Sequence, residues 1–169
     1  MNSPDKSDNF LAVIQAHKGI LYKIAHAYCK DTEDRKDLVQ EIIVQLWKSF
    51  DKYSPTYKYS TWIYRIALNV AISFYRRESR RKSVDSPLSD SALNMTDHSL
   101  PHDTTENIVF LQQFISELKE LDKALMLLYL EEKSYQEIAD IIGISVSNVS
   151  TKISRIKAAL KQKFTHLKT

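Results

Sequence analysis

Gly19 and Gly143 are the only glycines in a chain of 169 residues, and strand-like alternation of apolar and polar residues is nowhere sustained. A chain this poor in the residue that tightens hairpins and bulges sheets is left with helices. The apolar spacing agrees. Phe10, Ile14, His17, Leu21, Ile24 and Tyr28 fall at alternating four- and three-residue steps and predict a helix over about 9–29. On that stripe His17 reads as a packed histidine rather than a ligand. Val39, Ile42, Ile43, Leu46 and Phe50 predict a second buried stripe over 34–50, and Pro55 then breaks the chain, since proline cannot continue a helix. Trp62, Ile63, Ile66, Val70 and Phe74 predict a third helix from Ser60 to about Arg81.

Charge changes sign abruptly after that helix. Residues 76–82 hold four arginines and Lys82, whereas 83–105 contain four aspartates, five serines, Pro87 and Pro101, and no Lys or Arg. Such a stretch, without periodicity, reads as a flexible acidic linker. At its end Asp103 and Glu106 offer a helix cap. Ile108, Leu111, Phe114, Ile115 and Leu118 then resume a helical stripe, and Leu125 to Leu130 make an apolar helix. The expected fold class is all-α: two small helical domains, 9–82 and 106–169, joined by the linker 83–105.

The second domain carries the most specific local signal. Ser134 and Glu137 stand at capping-box spacing, Gly143 suits a left-handed helix stop, and Ser145 can cap the next helix. Val146, Val149, Ile153, Ile156, Leu160 and Phe164 form one apolar stripe. The opposite side shows Ser147, Asn148, Ser150, Thr151, Ser154 and Arg155. No Asp or Glu follows Asp140, while Lys152, Arg155, Lys157, Lys161, Lys163 and Lys168 all do. Two helices joined by a tight glycine turn, the second polar and cationic outside, describe a DNA-reading helix-turn-helix. The plainer reading is a solvated amphipathic helix.

Other classes find little support. A single cysteine, Cys29, excludes an internal disulfide and reads as a packed small residue. No apolar run is long enough to span a bilayer and the N-terminus lacks an apolar signal core, so a cytoplasmic protein is expected. Phosphate-loop, dinucleotide, zincin and nucleophile-elbow strings are missing, and the five histidines do not cluster with carboxylates. No catalytic residue, metal, cofactor or small-molecule substrate is expected.

Two segments of the first domain sharpen the reading. Asp37, Gln40, Glu41 and Gln45 fall on successive turns of one helix, with Trp47 beside them. An aromatic and basic run follows, interleaving Tyr53, Tyr57, Tyr59, Trp62, Tyr64, Phe74 and Tyr75 with Lys58, Arg65, Arg76 and Arg77. Rings can stack on unpaired bases while cations hold the backbone. These segments resemble region 2 of bacterial sigma factors, and the helix-turn-helix resembles their region 4. With no region 3 between them, the chain resembles the extracytoplasmic-function class, group IV of the sigma-70 family, over about residues 10–164.

The resemblance implies a promoter-specificity subunit with core RNA polymerase and promoter DNA as partners. It implies that Asp37, Gln40, Glu41, Gln45 and Trp47 meet the polymerase, through the β′ clamp helices with further contact to the β subunit. Taken alone, that helix face reads rather as a solvated one, where Asp, Gln and Glu usually lie. For the −10 element the implied contacts are Tyr59, Arg65, Asn69, Arg76 and Arg77, with Asn69 reading a base edge. For the −35 element they are Asn148, Ser150, Thr151, Lys152, Ser154, Arg155 and Lys157. Arg155 is placed to pair with a guanine, while Lys152, Lys157 and Lys161 hold phosphates. Ser150 stands where many relatives carry a basic residue, and Leu121 and Asp122 replace a frequent Leu-Pro pair. An anti-sigma factor, often anchored in the membrane, is the other implied partner. The linker could mimic nucleic acid inside the polymerase or be a plain tether. Competing readings are a helix-turn-helix regulator that never docks into polymerase and a decoy that sequesters an inhibitor.

Overall fold

The computed structural model describes residues 4–85 and 102–167. Helices α1 (Pro4–Tyr28), α2 (Thr32–Ser49) and α3 (Tyr59–Asp85) form one group, with a short 3-10 turn (Phe50–Lys52) after α2. Helices α4 (His102–Ser116), α5 (Glu120–Leu130), α6 (Tyr135–Ile142) and α7 (Val146–Leu167) form the other. The all-α expectation holds, and no strand occurs among the described residues.

Local chemistry sets most boundaries. Proline suits a first helical turn because its missing N–H has no partner there, and α1 accordingly opens at Pro4, earlier than the expected residue 9. That helix kinks at His17 (φ −121°, ψ 16°), whose Nδ1 lies 2.9 Å from the Val13 carbonyl, so His17 is the packed histidine its spacing implied. Asp31 caps α2 by accepting from the Glu33 N–H. The capping box is present at α6: the Glu137 N–H donates to Ser134 Oγ at 3.1 Å, and Glu137 Oε2 accepts from the Ser134 N–H at 3.3 Å. Gly143 closes α6 at φ 83°, and Ser145 Oγ then accepts from the Asn148 N–H at 3.1 Å to start α7.

The structure departs from the sequence expectations in several places. α3 runs on to Asp85, past the expected end near Arg81. α4 begins at His102, so both ends of the expected linker 83–105 are helical, and Asp103 lies inside a helix rather than capping one. Residues 86–101 of that linker lie outside the described residues. In α2 the fully buried positions are Leu38, Ile42 and Leu46, at strict four-residue steps, while Val39, Ile43 and Phe50 are only half-buried on their flanks. Ile108 and Val146 were expected inside but are exposed, so the α7 stripe packs only from Val149 onward.

Leu21, Ile24, Leu38, Ile42, Leu46, Ile63, Ala67 and Ala71 fill the space between α1, α2 and α3. Leu125, Leu128, Ile138, Val149 and Ile153 do the same between α5, α6 and α7. Burying each such aliphatic side chain contributes about 1.5–3 kcal/mol, so these two layers hold the helices in place. α4 joins through the Phe110–Phe164 edge contact at 4.7 Å, and just past its end Glu117 pairs with Lys163 at 2.9 Å.

The two groups also meet, with α3 lying against α5 and α6. Lys123 of α5 is 3% exposed, and its ammonium sits 5.2 Å and 5.1 Å from the ring centres of Tyr28 and Tyr75. Burial holds that ammonium below the usual lysine range. The Tyr28 hydroxyl donates to the Glu120 carbonyl at 2.7 Å, and burial pushes this phenol well above its ordinary value. At the rim Lys23 pairs with Glu131 at 2.7 Å, and Lys133 lies 5.6 Å from the Tyr64 ring centre.

Candidate nucleic-acid interface

α7 owes its outward face to its seat. Val149, Ile153 and Ile156 are buried, which turns Asn148, Thr151, Ser154, Arg155 and Lys157 to solvent and leaves Ser150 and Lys152 half-buried at the edges. All seven expected −35 residues therefore come to one side or its margin. Not one carboxylate stands on this helix. Thr151 Oγ1 is spent partly on the Ser147 carbonyl, 3.0 Å away. The Lys157 ammonium lies 4.4 Å from the ring centre of Tyr129, and hydrogen bonding with that side chain raises it above the ordinary lysine value. Such a rod, with guanidinium, amide and hydroxyl groups at one-turn steps, can reach base edges while its lysines meet phosphates.

α2 and α3 build a second feature, a groove lined by Gln40, Glu41, Val44, Gln45 and Ser49 on one side and Ile66, Asn69, Val70, Ser73 and Arg77 on the other. It brings together three expected docking residues and two expected strand contacts, on two helices. Arg77 and Glu41 are joined across it: Arg77 Nη2 donates to Glu41 Oε2 at 2.8 Å and to Oε1 at 3.1 Å. Val44, 45% exposed in the middle of α2, lines the groove too and was not among the expected residues. It stands one turn from Gln40, on the same side of the groove.

The remaining candidates lie elsewhere. Asp37 is exposed on α2 outside this groove. Trp47 faces α1, with its ring edge-on to Phe10 at 5.1 Å and Lys6 Nζ 4.5 Å from its centre. At the start of α3 an aromatic nest forms. Tyr53 stacks on Tyr59 with centroids 4.1 Å apart and planes 15° from parallel, and Trp62 stands edge-on to both. Tyr59 thus has one face already covered. The more exposed ring here is Tyr57, whose carbonyl accepts from the Tyr53 hydroxyl at 2.6 Å and whose ring lies 4.9 Å from the Arg65 guanidinium carbon. Arg76 points to the other helical group, with Nε 3.8 Å from Glu120 Oε1.

Residues 13–81 match the family model for sigma-70 region 2, and residues 111–160 match the model for sigma-70 region 4. The chain belongs to the sigma-70 family. Within it, this sigma factor is of the extracytoplasmic-function class, a family whose members are not enzymes. It is 27% identical to the ECF RNA polymerase sigma factor SigW of Bacillus subtilis, an alignment covering 95% of this chain and 91% of that one. Its fold is similar to CnrH, solved in complex with the cytosolic domain of CnrY, with a TM-score of 0.67 at 20% identity over 95% of this chain and 90% of the other. It is also similar to the sigma factor RpoE of Bartonella quintana, solved with the anti-sigma factor NepR, with a TM-score of 0.67 at 18% identity over 95% and 96% of the two chains. Among the described residues of this sigma factor, no helix is long and apolar enough to cross a membrane, and no group of His, Cys, Asp or Glu could hold a metal ion.

Proposed function

We propose that this chain is an alternative sigma factor that binds core RNA polymerase and directs initiation at promoters it reads in two places. The first domain, 9–82, seats the exposed face of α2 on the polymerase through Asp37, Gln40, Glu41, Val44 and Gln45, with Trp47 at its edge. It holds the separated −10 strand along α3 through Asn69 and Arg77, with Tyr57, Tyr59, Arg65 and Arg76 on flanking surfaces. The second domain, 106–169, lays α7 into duplex at the −35 element, where Arg155 supplies base discrimination and Lys152 and Lys157 the backbone grip. The protein works in the cytoplasm, where its polymerase is, and catalyses no reaction itself. The solved relative that carries the anti-sigma factor NepR supports a regulator of that kind for this chain too.

The observation that carries this reading is the α2–α3 groove, where an amide-rich, partly apolar docking face and an amide–guanidinium strand face share one set of walls. Val44, exposed beside Gln40 and Gln45, supplies the apolar part of that face. Reconstitution with core polymerase is the test. A stable complex should form and initiate at a defined promoter set. Glu41→Arg combined with Gln40→Ala should weaken that complex with the helical circular-dichroism signal unchanged. No complex with core polymerase, or no initiation from any promoter in a random library, would reject the assignment.

A further inference from the structure

The sequence divides Glu41 and Arg77 between two tasks, but the structure joins them as one ion pair 36 residues apart in the chain. A guanidinium whose charge is matched by a chelating carboxylate has little to offer a phosphate, because the attraction is already spent at short range. From this geometry we infer that Glu41 is a positioning residue for Arg77. It biases the side chain to lie across the α2–α3 groove, and Arg77 takes hold of a DNA backbone more readily once Glu41 is drawn to another cation. The inference deepens the proposed function and rests on its assignment of Arg77 to the −10 strand.

Three further observations favour restraint over mere surface pairing. Both oxygens of Glu41 are bound to the same nitrogen, Nη2, so the carboxylate straddles one corner of the guanidinium and fixes where it points. The guanidinium also lies 5.7 Å from the ring centre of Phe74, a buried residue one turn back on the same helix, which limits its swing. Finally, Glu41 sits among Gln40, Val44 and Gln45, so whatever docks on that face meets the carboxylate too. The pair is exposed enough to exchange partners: the side chains are 60% and 43% accessible for Arg77 and Glu41. An exposed pair of this kind is weak, and a competing cation on a docked partner can displace it.

The experiment is a double-mutant cycle on the free, full-length chain, read by fluorescence anisotropy with a labelled single-stranded oligonucleotide of mixed sequence across a salt series. Glu41→Gln should tighten binding by about two- to fivefold at low salt, the range expected of one exposed ion pair. It should also steepen the salt dependence by about 0.7 in log–log slope, the contribution of one phosphate on a single strand. Arg77→Ala alone bares the Glu41 carboxylate and should weaken the free chain's binding, and the double variant should return it to the parent's affinity and salt slope. A gain from Glu41→Gln without the steeper salt slope would show simple relief of repulsion and overturn the inference, as would no gain at all. Thermal melting of each variant checks the fold, which two solvent-facing substitutions should leave intact. Failure of the underlying assignment reads differently: Arg77→Ala in the reconstituted holoenzyme would then leave −10 strand binding unchanged, whatever the free-chain cycle returns.

Discussion

The α7 face and the α2–α3 groove gather similar groups (amides, hydroxyls, a guanidinium) but by different means. One helix makes the first, and its spacing alone decides which residues look outward. The second needs two helices, and it carries a carboxylate bonded to its cation. The α7 face is therefore cationic whatever surrounds it, whereas the charge of the groove depends on what Glu41 is doing. On the proposed reading, duplex binding through α7 needs no rearrangement of the chain, whereas strand binding through α3 is strengthened by assembly.

The contrast can be broken most forcefully from within the core. Ile153 is fully buried beneath the α7 face, and Ile153→Ala should lower stability by about 2–5 kcal/mol, the usual cost of an aliphatic deletion with its cavity. Thermal unfolding measures that loss, and −35 duplex affinity should fall with it. At the contact level, Arg155→Ala should remove about 1–3 kcal/mol of discrimination at one base pair, in the free chain and the holoenzyme alike. Arg77→Ala should weaken strand binding, with its larger effect in the holoenzyme. A randomised-promoter selection returning the same preference for Arg155→Ala as for the parent would contradict the α7 assignment.

Smaller effects sharpen the picture of how each unit is held. Gly143 has φ 83° with open space around its missing Cβ, so Gly143→Ala tests backbone strain without a clash. It should cost about 1–2 kcal/mol, seen as a lower melting temperature and weaker −35 binding with the groove unchanged. Tyr28→Phe removes the hydrogen bond to the Glu120 carbonyl and should cost about 0.5–1.5 kcal/mol. This substitution also has a pH signature. Burial raises Tyr28 above its ordinary value and pushes Tyr64 up to about 12, so both phenols are neutral in the fold when the unfolded chain begins to ionise near 10.0. Their stabilisation is complete below that pH and is lost as pH rises through the folded values. Unfolding midpoints measured in steps above pH 10.0 should fall, and fall less steeply in Tyr28→Phe. Equal slopes would place the phenol in water.

What the sequence disclosed follows the same division. The helix-turn-helix was legible residue by residue because its determinants are local: Ser134 with Glu137, Gly143, Ser145, and an apolar stripe from Val149. Membership of the family was legible for the same reason, since its motifs lie along single helices. The Glu41–Arg77 pair was not, because no spacing rule links α2 to α3. Nor was the cage around Lys123, whose walls come from Tyr28 and Tyr75 in the other helical group. Sequence left the two groups apart on a tether; packing brings α3 against α5 and α6. Glu132 shows the limit of turn chemistry. It holds a left-handed φ of 59° at the end of α5, where its N–H reaches the Tyr129 carbonyl and the Lys133 N–H reaches that of Leu128. This is the glycine-type helix stop without the glycine, and a reading keyed to glycine passes over it.

Photo-cross-linking in the reconstituted holoenzyme tests the division of labour most directly, with a reactive side chain placed at Ser73 in the groove or at Ser147 on α7. The account predicts that Ser147 labels upstream duplex with or without polymerase, while Ser73 labels the unpaired −10 strand and does so more strongly once core enzyme is bound. Labelling of one common DNA segment from both positions, or of none from either, would contradict it.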